Sequence, residues 1–290
     1  APKPRLLILP HAGYPYSGLV AAYGFRQLQG RSYDAVVVVG FLHRPTVSGV
    51  SVDDAEAYQT PLGTIPVDRE AVGRLLQQPG LHHAESAHAS GEHSLEVMLP
   101  FLQVALGEVR LIPVVIGASG LGELDALAQA LAELAQRGDY LFIFSTDLSH
   151  YHPYDDAVSR DRRTVNAIVS ETAQAVDQLF RSQKAEACGY GPIVTSLLLA
   201  QRLGYPQRRL LRYANSGDTA GDKSRVVGYA AIAMYDRPPA IADARLPEEA
   251  GEVLVQAARA VITAHLTGAS DGRALAALRQ AAELERSRGL

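Results

Sequence analysis

Leu6-Leu7-Ile8-Leu9-Pro10-His11-Ala12-Gly13-Tyr14-Pro15-Tyr16-Ser17-Gly18 is the stretch that decides the fold. Four apolar residues read as a buried strand. Pro10 ends it, His11 follows, and Gly13 turns the chain. From Ser17 to Gln29 a helical pattern puts Leu19, Val20, Tyr23, Phe25 and Leu28 on a mostly apolar side. A metal-competent imidazole thus stands just past the C-terminal end of a strand, where open α/β sheets bind ligands.

Ala35-Val36-Val37-Val38-Val39-Gly40 is a β-branched run suited to a strand buried on both faces. His43 follows it. Two parallel strands joined by a helix form a right-handed unit, so His11 and His43 share one sheet edge. Leu111-Ile112-Pro113-Val114-Val115-Ile116 and Tyr140-Leu141-Phe142-Ile143-Phe144 read as further core strands, and the latter runs out into Asp147 and His150. The expected fold class is α/β, with a mainly parallel central sheet flanked by helices. Residues 46–68 read as irregular β structure. Asp68 is placed to cap a helix to Gln77. A long helical region is expected from Asp155 to Phe180, and strands from Leu210 to Tyr213 and from Val226 to Tyr235. Pro238 and Pro239 mark a boundary. Residues 1–236 form the α/β domain, 237–247 a linker and 248–290 a helical tail.

The 290 residues are 47% hydrophobic and 20% charged, ordinary globular composition. A formal net charge of −4 offers no basic field for nucleic acid or anionic lipid. No apolar run approaches the roughly 20 residues of a membrane span. No secretory leader is visible, and the lone Cys188 has no internal disulfide partner, so a reducing cytoplasm is expected. The chain starts on alanine and enters its first strand almost at once, so it reads as a fragment or a trimmed piece.

Taken singly, each polar group has a plain structural reading as a capping, turn or packing residue. Together, His11, His43, Asp147 and His150 gather at one edge. His11, His43 and Cys188 make a three-ligand set suited to zinc, iron or copper rather than magnesium or calcium. His150, with Asp147 beside it, suits general acid–base work. A Cys–His nucleophile pair is the metal-free rival. Pro192 suits a first helical turn. Cys188 therefore lies near a helix N-terminus, which favours thiolate. Glu92 and His93 are expected in the first turn of a helix carrying Leu95, Met98, Leu99 and Leu102. The tract His82-His83-Ala84-Glu85-Ser86-Ala87-His88 lacks helical spacing and reads as a surface loop without function.

Five ordered stretches resemble the Memo family: Pro10 to Gly18, Glu92-His93-Ser94-Leu95-Glu96, Ser145-Thr146-Asp147-Leu148-Ser149-His150-Tyr151, Cys188-Gly189 with Pro192, and Tyr213 to Asp218. Microbial members are called protein B of the AmmeMemoRadiSam system. The resemblance implies a fold similar to class III extradiol dioxygenases and a metal held by His11, His43 and Cys188, with iron foremost and copper or zinc as alternatives. It places His150 and Asp147 in catalysis, and His93, Glu92, Arg44, Tyr14 and Tyr16 around a substrate. Where those dioxygenases have a carboxylate as the third ligand, this chain has Cys188, so ring cleavage does not follow from the fold. Arg44 stands where members often have a second histidine. The implied roles are a redox enzyme of unknown substrate, a partner of a radical SAM protein, or an adaptor whose cleft binds a small molecule or peptide. Leu246 to Gly268 resembles the opening of an Ammecr-type domain.

Overall fold

The structure, a computed structural model, describes residues 3–44, 47–88 and 92–237. The expected linker and helical tail, and with them the Ammecr-type resemblance, fall almost wholly outside these residues. In chain order the strands are β1 (Leu6–Leu9), β2 (Ala35–Phe41), β3 (Val50–Val52), β4 (Ala57–Thr60), β5 (Gly63–Pro66), β6 (Leu81–His82), β7 (Leu111–Ile116), β8 (Tyr140–Ser145), β9 (His150–His152), β10 (Gln207–Asn215) and β11 (Val226–Tyr235). The helices are α1 (Tyr14–Phe25), α2 (Arg69–Leu76), α3 (Met98–Leu106), α4 (Leu121–Ala135), α5 (Tyr154–Ser170), α6 (Ala173–Arg181), α7 (Tyr190–Leu203) and the short α8 (Ser216–Ala220).

The main sheet runs β10-β11-β1-β8-β2-β7-β3-β6, with β9 paired to β11. Its centre, β1-β8-β2-β7, is parallel throughout. The flanks depart from that pattern. β11 runs antiparallel to β1 and β10, and β3 runs antiparallel to β7. Parallel strands are the ones that read as unbroken apolar runs, because helices cover both their faces. Leu6–Leu9, Leu111–Ile116 and Tyr140–Ser145 are buried at every residue.

Side-chain alternation sorts these strands into two cores. Leu6, Ile8, Val37, Val39, Phe142 and Phe144 face α2 and α4 to α7. Leu7, Leu9, Val36, Val38, Leu141 and Ile143 face α1 and α3. Each fully buried Leu, Ile, Val or Phe contributes about 1.5–3 kcal/mol of apolar burial. The outcome is three layers, helices on sheet on helices, with every central strand ending at one edge.

Local chemistry sets the helix starts. Asp68 caps α2 by accepting from the Ala71 N–H at 3.1 Å. The helical region after Asp155 is two helices, since Thr172 caps a fresh start by accepting from Ala175 N–H. Glu92 and His93 do not sit in a helical turn. α3 begins only at Met98. The Ser94 hydroxyl instead bridges to β2, accepting from the Phe41 N–H at 3.1 Å and donating to the Phe41 carbonyl at 2.8 Å. That bridge holds residues 92–94 against the end of β2.

Candidate metal centre

The edge of the parallel sheet assembles the site. His11 follows β1, Asp147 follows β8, His43 follows β2, and Cys188 arrives from the turn before α7. Ligand atoms of His11, His43 and Cys188 all lie within 4.8 Å of one another. So do those of Asp147, His150 and Cys188, and those of His43, Glu92 and His93. The imidazoles of His11 and His43 meet edge to face at 5.1 Å, and His93 stacks on His43 at 4.4 Å.

Each histidine is turned by a second contact. His11 is fully buried, and its Nδ1 lies 2.7 Å from the Ser145 hydroxyl. Its Nε2 therefore points to the Cys188 sulphur at 3.5 Å. His43 donates from Nδ1 to the Glu92 carboxylate at 3.0 Å, leaving Nε2 as a lone-pair donor. Glu92 is fixed in turn by the backbone N–H groups of His43, His93 and Ser94. This is the carboxylate–histidine arrangement that fixes tautomer and ring angle in metal sites. His150 donates from Nδ1 to the Leu148 carbonyl at 2.8 Å, which likewise frees its Nε2.

Cys188 is held by a reciprocal lattice. Its Sγ accepts from the Asp147 N–H at 3.1 Å, and its own N–H donates to the Asp147 carbonyl at 3.2 Å. Gly189 N–H donates to Thr146 Oγ1 at 2.9 Å. A Cβ at Gly189 would lie 2.8 Å from the Ser145 carbonyl, so only glycine lets this turn lie against the end of β8. Asp147 Oδ1 accepts from the N–H groups of His11 and Ala12, at 2.8 and 3.3 Å. One buried carboxylate thus splices the ends of β1 and β8.

The electrostatics follow from burial. Burial, then the neighbouring His43 and His93, holds the His11 imidazole well below the ordinary histidine value, so it is neutral and ready to donate. Burial pushes the Asp147 carboxyl up to about 6, against the backbone N–H groups that pull it down. Partial burial would raise Glu92, but its hydrogen bonds to His43 and Ser94 win and hold it far below the usual carboxylate range. The expectation of a favoured thiolate at Cys188 is overturned for the metal-free protein. Burial and the adjacent Asp147 charge push the thiol well up, outweighing the helix N-terminus. A metal is what would make thiolate favourable there, because cations deprotonate a coordinating thiol outright.

The expected substrate wall is mixed. Tyr14 spends its hydroxyl on the Val97 carbonyl at 2.9 Å and packs edge to face on Phe101. Tyr16 and Tyr151 are exposed, and Arg44 is exposed beside His43. Sequence reading had no role for Ser145 or Thr146, although a polar pair closing an apolar strand is the signal that could have assigned one. Glu186 was also missed. It accepts from the His150 N–H at 3.1 Å and binds His152 Nε2 at 2.9 Å. No helix of the described residues is long and apolar enough to cross a membrane.

The chain as a whole has relatives. The family model for Memo-like protein matches residues 1–233. The chain belongs to the Memo-like family. A MEMO1 family protein of Sulfolobus acidocaldarius is 36% identical over 236 residues, covering 80% of this chain and 83% of that one. One from Ignicoccus hospitalis is 38% identical over 230 residues, covering 78% and 80%. A crystal structure of an uncharacterised Escherichia coli K12 protein shares the fold, with a TM-score of 0.53 at 15% identity over 78% of this chain and 98% of that one. In this Memo-like chain, histidine and cysteine donors with the spacing of a metal site gather at the C-terminal edge of the parallel strands.

Proposed function

We propose that this Memo-like protein is a metal-dependent oxidoreductase whose ion is held by His11, His43 and Cys188. One observation carries the reading: three donors from three separate segments converge within 4.8 Å. The donor chemistry fits. Two imidazoles and a sulphur suit iron or copper, with zinc as the redox-silent competitor. His11 is already neutral, and His43 presents Nε2 because Glu92 occupies Nδ1. Three protein ligands leave further positions for substrate. A redox-active ion bound there supplies one-electron transfer and Lewis-acid polarisation.

The remaining work falls to the chain. His150, its Nδ1 committed to the Leu148 carbonyl, takes or returns a proton at Nε2 on the rim of the cleft. Asp147 keeps the strand ends in register and sets the charge behind His11. Tyr16 and Arg44 lie exposed on the segments that follow β1 and β2, and receive the substrate. The natural context for such a reaction is the modification system of which a radical SAM protein is the other part.

Metal-stripped protein should take up one tightly bound equivalent of iron(II), and His11→Ala or Cys188→Ser should weaken that tight uptake at least about 100-fold, more than loss of an outer contact costs. Iron-loaded protein supplied with a reductant should consume dioxygen faster than either variant. Uptake that is indifferent to both substitutions removes the metal assignment. Uptake without faster dioxygen consumption removes the redox reading and leaves the site.

A further inference from the structure

Away from this cleft, the histidine-rich tract finds partners. Asp53 and Asp54 follow β3, and His83 follows β6. These two strands are parallel neighbours at the far side of the sheet. β3 runs against β7, so their C-terminal ends face away from the edge that holds His11. Asp53 also stands four strands from β1, about 19 Å across the sheet at the usual strand spacing.

Ligand atoms of Asp53, Asp54 and His83 lie within 4.8 Å of one another. His83 Nδ1 is 3.7 Å from Asp53 Oδ1 and 3.5 Å from Asp54 Oδ1. It is 3.2 Å from the Val52 carbonyl, to which it donates in the metal-free protein. His88 comes in from below. Its side chain is 5% exposed, its Nε2 is 2.9 Å from the Ser51 hydroxyl, and its Nδ1 is 3.9 Å from Asp53 Oδ2. Asp53 is itself aimed, accepting from the Tyr58 hydroxyl at 2.6 Å and the Ala55 N–H at 3.3 Å. The rings of His83 and His88 stand parallel, 3° apart in plane, at 6.1 Å.

These spacings do not describe hydrogen-bonded ion pairs. A carboxylate and an imidazolium in direct contact close to about 2.7–2.9 Å. Separations of 3.5 and 3.7 Å sit instead near the roughly 3.3 Å that separates two ligands of a tetrahedral ion with bonds of about 2.0–2.1 Å. The donors mix hard and borderline, two carboxylates with one imidazole, and the nitrogen suits zinc better than calcium or magnesium. We propose that Asp53, Asp54 and His83 form a second divalent-cation site, taking zinc, that ties the end of β3 to the end of β6, with His88 packed behind Asp53. Binding at His83 Nδ1 would move its proton to Nε2, the other neutral tautomer, and break the hydrogen bond to the Val52 carbonyl. Because Asp53 also holds Tyr58 of β4, the same ion would anchor the β4–β5 hairpin.

The test uses the full chain with the cleft disabled by His11→Ala and Cys188→Ser, stripped by a chelator and titrated with zinc chloride. One equivalent should bind and the melting temperature should rise. Adding His83→Ala and Asp54→Asn should weaken that binding at least 100-fold and abolish the rise. Both residues are exposed, so the zinc-free melting temperature should not move. A cleft-disabled chain that binds no zinc, or binding unchanged by the second pair, overturns the proposal. If the cleft-disabled chain does not fold, the wild-type protein gives the same reading. Its stoichiometry should fall from two to one on His83→Ala/Asp54→Asn, and an unchanged stoichiometry overturns the site.

Discussion

The His11 cleft and the Asp53 cluster draw on the same kinds of side chain, yet the sheet builds them differently. In the cleft every candidate donor has a second contact that leaves it little freedom: Ser145 on His11, Glu92 on His43, the Asp147 N–H on Cys188. At the sheet's far edge only Asp53 and His88 are packed, while Asp54 and His83 reach into solvent. Ligands locked by packing and outer hydrogen bonds lose little entropy on binding an ion. Exposed ones must be ordered by it. The cleft should therefore be tight and selective, the edge cluster weaker and more tolerant of the ion.

The hardest push against that contrast is Gly189→Ala. The new Cβ would fall 2.6 Å from the Thr146 Cβ and 2.8 Å from the Ser145 carbonyl. Backbone cannot yield as a flexible side chain would, so the Cys188 turn must lift from β8. Overpacking of this kind costs about 1–3 kcal/mol, readable by chemical denaturation. Iron uptake in the cleft should weaken at least tenfold, while zinc binding at the edge stays unchanged. Equal losses at both would mean that the two regions are not separately built.

A gentler test is Glu92→Gln. It keeps size and removes charge. The amide can accept from only some of the N–H groups that Glu92 now serves. Outer-shell losses of this type cost about tenfold or more in metal affinity. Titration of the stripped protein with iron(II) measures it. Asp54→Asn, which replaces a charged donor by a neutral amide oxygen, should weaken zinc binding at the edge at least tenfold without touching the cleft. If Glu92→Gln leaves cleft affinity unchanged, the preorganisation argued above is absent.

The two regions also differ in how far the sequence reveals them. The cleft was legible because strands buried on both faces must be continuous apolar runs, and polar groups such as His11 and Asp147 stand out at their ends. The placement of Glu92 and His93 was not, because periodicity sees the helix of Met98 and Leu99 but not the Ser94–Phe41 bridge that delays its start. The state of Cys188 is not legible for a similar reason: helix position is local, while the burial that raises the thiol, and the Asp147 charge that adds to it, come only with the assembled fold. The antiparallel flanks were hidden because alternation and β-propensity do not encode strand direction. The edge cluster was hidden most deeply. His83 and His88 have no ligand spacing of their own, since Asp53 and Asp54 come from some thirty residues upstream.

The smallest effect concerns how α7, and with it the Cys188 turn, is held. Asp177 on α6 accepts two hydrogen bonds from Arg181 Nε, at 2.8 and 3.0 Å, and one from the Tyr190 hydroxyl at the start of α7. Partial burial would raise this carboxyl, but the Arg181 hydrogen bond outweighs it and holds it below the ordinary aspartate value. A carboxyl depressed on folding adds stability that is full above its unfolded value of about 3.9 and is lost as pH falls through the folded value. Arg181 is largely exposed, so solvent screens the pair and it contributes little. Asp177→Asn should therefore lower the melting temperature slightly at pH 7, and the gap to wild type should close as the pH falls toward 3. Zinc binding at the edge should be untouched throughout, because α6 packs on α7, and α7 packs on β1, β2 and β8 at the sheet's centre, away from the end of β3. A gap that widens in acid would show that the carboxyl is held protonated, and would shift the anchoring of the Cys188 turn from charge to packing.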